Sequence, residues 1–63
     1  MNSLYIVTGK DTDTNEKFEY EEPTIQKALE IYNQLKDADD ITGLIILEYN
    51  LITKQYHMIS IND

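Results

Sequence analysis

The side chains here that could do chemistry are one histidine, five tyrosines and twelve carboxylates, with no cysteine. His57 lies between Tyr56 and Met58, inside an apolar alternating segment. A catalytic role needs a base, a nucleophile and an orienting group in register. No cysteine exists to serve as nucleophile and no motif positions a serine, so His57 reads as an ordinary half-exposed strand histidine. The adjacent acids Glu21-Glu22 and Asp39-Asp40 are neighbours whose side chains point apart on a strand or loop. No glycine-rich phosphate loop is present, and so small a chain leaves little room for a cleft. The expectation is a protein that is not an enzyme, with no catalytic residues and no cofactor.

One metal motif merits a test. From Asp11 to Glu22, oxygen ligands stand at positions 1 (Asp11), 3 (Asp13), 5 (Asn15) and 12 (Glu22), with apolar Phe18 at 8, as in a calcium-binding loop. Position 6, where the motif places glycine, is Glu16, and the flanks read as strands where helices are required. A solvated hairpin loop fits better. Thiolate zinc sites are excluded by the missing cysteine, and a single histidine cannot build an imidazole site, so no metal is expected.

The carboxylates matter more as a field. Twelve acids against five lysines, without arginine, give a formal charge of −7. That sign repels phosphate backbones and anionic lipid and attracts basic surfaces. Neither direct nucleic-acid binding nor membrane binding is expected. The acids fall in two groups. Asp37, Asp39 and Asp40 crowd the end of a helix, where the macrodipole favours cations. Glu16, Glu19, Glu21 and Glu22 follow the second strand and its exit. Rows of carboxylates on a rigid frame can stand in for phosphates, which makes a basic nucleic-acid-binding protein the expected partner of these seven residues. The alternative is a solvated face that serves solubility.

The elements that must position them follow from the apolar spacing. Leu4–Val7 reads as a strand leading into turn-forming residues 9–15, and Lys17–Glu21 alternates strictly with Phe18 and Tyr20 on one face. Pro23 suits the first turn of a helix, with Thr24 or Glu22 as its cap. Ile25, Ala28, Leu29, Tyr32 and Leu35 then form one stripe, giving a helix over 24–37. After a break at Asp39, Asp40, Thr42 and Gly43, strands follow over Leu44–Tyr49 and Gln55–Ile61. The order is ββαββ, an α+β domain with a four-stranded, mainly antiparallel sheet and one helix on one face. The loops Asp11–Glu16 and Asn50–Gln55 align, each opening on Asp or Asn with threonine in fourth place. The opening side chain is expected to bond local backbone.

Size and face pattern point to association. A domain of 63 residues buries only about 60% of the surface its unfolded chain exposes, and without disulfide or metal the remaining staple is another chain. Leu44 and Ile46 point opposite to Ile45, Leu47 and Tyr49, while Leu4 and Ile6 point opposite to Tyr5 and Val7, so both sheet faces are apolar. One helix covers one face. A homodimer is expected, with Tyr5, Ile45, Leu47 and Tyr49 at its interface; tyrosine suits such surfaces by joining a large apolar ring to a hydrogen-bonding tip. The segment Met1–Tyr5 has no basic region followed by a long apolar run, and Leu44–Leu47 is too short to span a bilayer. A cytoplasmic location is expected.

Tyr5-Ile6-Val7, the Asp11–Glu16 loop, the Ala28-x-x-x-Tyr32-x-x-Leu35 helix and the closing hairpin together resemble the small acidic proteins encoded by bacteriophages of Gram-positive hosts. The resemblance is one of outline over nearly the whole chain and rests on no diagnostic motif. It implies a host-takeover or counter-defence role in the host cytoplasm, often played by dimeric DNA mimics that occupy a basic nucleic-acid-binding protein. It assigns no residue a role.

Overall fold

In a computed structural model, which describes residues 2–61, the chain forms β1 (Ser3–Asp11), β2 (Glu16–Glu22), α1 (Ile25–Leu35), β3 (Ile41–Asn50) and β4 (Gln55–Ile59). The ββαββ order and α+β class agree with the sequence reading. All four strands join one sheet ordered β2-β1-β3-β4, and every neighbouring pair is antiparallel. Both β2 and β3 oppose β1, so they run parallel to each other. Antiparallel neighbours can be joined by tight hairpins, whereas parallel strands need a crossover, and α1 supplies it.

Residue alternation sorts the sheet into two faces. Val7 pairs with Ile46 and with Tyr20, and Ile46 pairs with Ile59. That row lies beneath the helix, where Val7, Ala28 and Ile46 are wholly buried and Ile25, Leu29, Ile31 and Tyr32 close around them. Ile31 lies outside the stripe read from the sequence. The opposite face carries Leu4, Ile6, Ile45, Leu47, Tyr49, Tyr56 and Met58, through the pairs Leu4–Tyr49, Ile6–Leu47, Leu47–Met58 and Tyr49–Tyr56. No element among the described residues covers it.

Strand β3 starts three residues before the expected Leu44 because Gly43 makes a bulge rather than a break. Thr8 pairs with Ile45 but Lys10 pairs with Thr42, so Gly43 and Leu44 together oppose Gly9. Gly43 has φ 66°, the left-handed conformation that a glycine bulge requires. Gly9 has a different constraint: a Cβ there would stand 2.9 Å from Phe18 Cζ and 3.4 Å from Leu44 Cδ1. Glycine at this point lets the Phe18 ring lie against β1.

Helix α1 is shorter than the expected 24–37. Thr24 has extended backbone (φ −131°, ψ 152°), and its hydroxyl accepts from the Lys27 N–H at 3.2 Å, which makes it the N-cap. Pro23 therefore precedes the cap instead of occupying the first turn, and Glu22 ends β2. At the other end the Lys36 N–H donates to the Tyr32 carbonyl at 2.9 Å. No helix among the described residues is long and apolar enough to cross a membrane.

Candidate functional site

Two hairpins define the ends of the sheet, and both use the device read from the sequence. In the β1–β2 turn, Asp11 Oδ1 accepts from the N–H groups of Asp13 (2.9 Å) and Thr14 (3.4 Å). In the β3–β4 turn, Asn50 Oδ1 accepts from Ile52 (2.9 Å) and Thr53 (3.0 Å). The residue after that threonine, Asn15 or Lys54, has φ 62° in each. These short-range bonds hold each loop without help from the core.

The first hairpin is also tied to the chain leaving the helix. The Thr12 N–H donates to the Asp40 carbonyl at 2.7 Å, and its hydroxyl donates to the same oxygen at 3.1 Å. Pairing of Asp11 with Ile41 extends this junction into the sheet. As a result Asp11, Asp13 and Asp40 each place a carboxylate oxygen within 4.8 Å of the others. Glu16 stands opposite Asp11 at the start of β2, and Asp37 and Asp39 lie on the segment leading to Asp40. Three carboxylates thus converge where the β1–β2 hairpin meets the α1–β3 connection, with Glu16, Asp37 and Asp39 on the adjoining backbone. A groove of about 390 Å³ opens beside them, lined by Asp11, Thr14, Glu16 and Lys17 together with Phe18, Tyr20, Leu35 and Ile41.

The seven acids read as partner-binding do not form one array. Glu16, Asp37, Asp39 and Asp40 belong to this acidic end. Glu19 and Glu21 pair with Thr8 and Ile6 and so point to the uncovered face, because successive strand residues alternate sides. Glu22 pairs with Tyr5 at the far end of β2, in a cross-strand row with Glu48 and His57. Sequence proximity grouped Glu16, Glu19, Glu21 and Glu22; strand geometry divides them three ways. It also separates Glu22 from Asp11 and Asp13, so the calcium-loop spacing does not close in space. The sequence reading missed Asp11 and Asp13 as members of the acidic end, since only the β1–β3 pairing delivers Asp40 to them.

The four residues read as a dimer interface divide as well. Ile45, Leu47 and Tyr49 share the uncovered face, where the Tyr49 and Tyr56 rings meet with centroids 4.7 Å apart. Tyr5 lies on the opposite side and packs against the buried cluster. It flanks Val7 by two residues, and that parity places it under the helix layer. Tyr56 and Met58 are 63% and 59% exposed and extend the apolar area across β4.

Charge is distributed unevenly between the faces. The uncovered face presents Lys10, Lys17, Glu19 and Glu21, two of each sign. The remaining described acids, among them the acidic end, Glu22, Glu30 and Glu48, lie on the helix side or at the strand ends. Comparison with protein-family models, curated proteins and solved structures returns no match.

Proposed function

We propose that this chain is a non-enzymatic binding protein whose acidic end occupies the DNA-binding surface of a basic protein, in the manner of a phage-encoded DNA mimic acting in a host cell. The observation that carries the reading is the convergence of Asp11, Asp13 and Asp40 within 4.8 Å, where the Thr12 N–H and hydroxyl hold the Asp40 carbonyl. Folding brings Asp40 to the other two against their mutual repulsion. Stability alone does not favour that arrangement, whereas a cationic cleft would reward it. A nucleoid-associated protein of the HU kind is a representative target, and a defence nuclease is another.

The test is displacement of a labelled duplex from an HU-type protein, followed by fluorescence anisotropy. Wild-type protein should displace the duplex at low salt and lose potency steeply as salt rises. The triple variant Asp13→Asn/Asp39→Asn/Asp40→Asn should lose most of that activity while keeping its fold. Failure of the wild type to displace DNA from HU-type proteins or bind other basic nucleic-acid-binding proteins at low salt would end the proposal.

A second reading has its own support. The apolar, charge-balanced sheet face fits an assembly module, with acidity serving solubility. Charge reversal at Asp37, Asp39 and Asp40 separates the two, since binding through the sheet face should survive it and binding through the acidic end should not.

A further inference from the structure

We propose that the uncovered sheet face is where a second copy of this chain docks, with the two sheets stacked face to face and their strands antiparallel, so that the acidic ends lie at opposite poles of the dimer. The inference does not depend on what the acidic end binds.

Three observations select a second copy as the occupant. First, the face is apolar over its centre: Tyr56 and Met58 are 63% and 59% exposed, and the half-buried Leu4, Ile45, Leu47 and Tyr49 adjoin them around the buried Ile6. Contiguous apolar area of this kind marks an interface. Secondly, its charges cancel. Two chains of formal charge −7 repel at most approaches, but this face carries Lys10 and Lys17 against Glu19 and Glu21, and so can meet its own copy without net like charge. Thirdly, the size fits. The molecule is 36 Å long, and four strands about 4.8 Å apart make a sheet roughly 19 Å wide. The strands themselves, of nine, seven, ten and five residues at about 3.3 Å each, project roughly 500 Å² of face, the same order as the ~800 Å² per partner of a stable interface.

The orientation follows from the acidic end. A two-fold axis parallel to the strands would set both Asp11–Asp13–Asp40 clusters side by side at one end. An axis across the strands places them apart by a distance comparable to the 36 Å length. The second arrangement also brings the Lys10–Lys17 end of one face toward the Glu21 end of the other.

Sedimentation of the wild-type chain should give twice the 7.4 kDa chain mass at micromolar concentration. Met58→Glu changes a side chain that is 59% exposed in the single chain, so it should leave the fold intact by circular dichroism. It should weaken self-association at least about 100-fold, because each copy would bury an unpaired carboxylate. Orientation is read from Thr14→Cys, which introduces the sole thiol, carrying a spin label for a dipolar distance measurement. A separation comparable to the 36 Å length supports the antiparallel stack. A monomer mass at all concentrations overturns the proposal, as does a Met58→Glu chain that dimerises like the wild type. A label separation of about 10–20 Å, the spacing of parallel-stacked sheets, overturns the orientation. None of these readouts involves the acidic end or a basic protein, so their failure is distinct from failure of the DNA-mimic reading.

Discussion

Neutralising Asp40 should stabilise the protein while weakening its binding to a basic partner, and the size of the gain follows from the geometry. Asp40 lies within 4.8 Å of the Asp11 and Asp13 carboxylates. Coulomb's law in bulk water gives about 0.9 kcal/mol for one pair of unit charges at that separation, hence about 1.7 kcal/mol for the two pairs Asp40 makes. Folding creates those two repulsions, because Asp40 is far from Asp11 and Asp13 in sequence; the Asp11–Asp13 pair persists in the unfolded chain. Ionic screening reduces the gain to about 1.5 kcal/mol at 10 mM salt, about 1 kcal/mol at 0.15 M and a few tenths at 1 M. Asp40→Asn preserves side-chain shape, and the bonds from Thr12 reach the residue-40 carbonyl, which the substitution leaves in place. The measurement is urea unfolding of both proteins in EDTA at the three salt concentrations, supported by melting, where about 1 kcal/mol corresponds to a rise of about 4–8 °C. A variant that is no more stable than wild type, or whose gain is the same at 10 mM and 1 M salt, would refute the reasoning.

Other substitutions probe the frame. Ile46→Ala empties the centre of the buried cluster and should cost about 2–5 kcal/mol, a large part of the ~3–9 kcal/mol expected for a chain of this length, so its urea midpoint should fall to roughly half that of the wild type or lower. Gly43→Ala meets no atom within 4 Å but must hold φ +66°, so chemical denaturation should show a loss of about 1–2 kcal/mol that comes from backbone conformation alone. Thr24→Ala removes the cap on the Lys27 N–H and should cost about 1 kcal/mol, with Thr24→Ser close to neutral in the same assay. Asn50→Ala frees the N–H groups of Ile52 and Thr53; it should speed amide exchange at those two residues by nuclear magnetic resonance, while Asn50→Asp keeps them protected.

Local features of the fold were legible in the sequence. The equivalence of Asp11 and Asn50, and of Thr14 and Thr53, is a matter of side chains bonding backbone two or three residues away, so no tertiary information was needed. The helix stripe was readable for the same reason, with Thr24 as a stated cap. Strand limits were less legible, because Gly43 reads as a breaker unless the partner strand is known to hold a bulge. Face assignment lay between these cases. Strict alternation already separated Glu19 and Glu21 from Phe18 and Tyr20, so grouping Glu16–Glu22 as one cluster overlooked a period that was visible; placing Tyr5 on the face opposite Ile45 required the β1–β3 register, which a strand's own alternation does not carry. The meeting of Asp40 with Asp11 and Asp13 was not accessible, since it depends on the register Asp11–Ile41 across a connection that includes the whole helix.

The placement of β1 at the centre of the sheet governs the order in which the molecule can be assembled. As the chain leaves the ribosome, β1 gains β2 at once through a four-residue turn, but its other edge waits until the helix and β3 have been made. During that interval the hydrogen-bonding groups of Leu4–Thr8 on that side face solvent or a neighbouring nascent chain, the kind of open edge on which strands of different molecules pair. Closing it requires a long-range contact that costs loop entropy. Strand β4 then adds locally to β3 through its own short turn, on a sheet whose centre is complete, so chains interrupted before Asn50 would be the form most prone to aggregate.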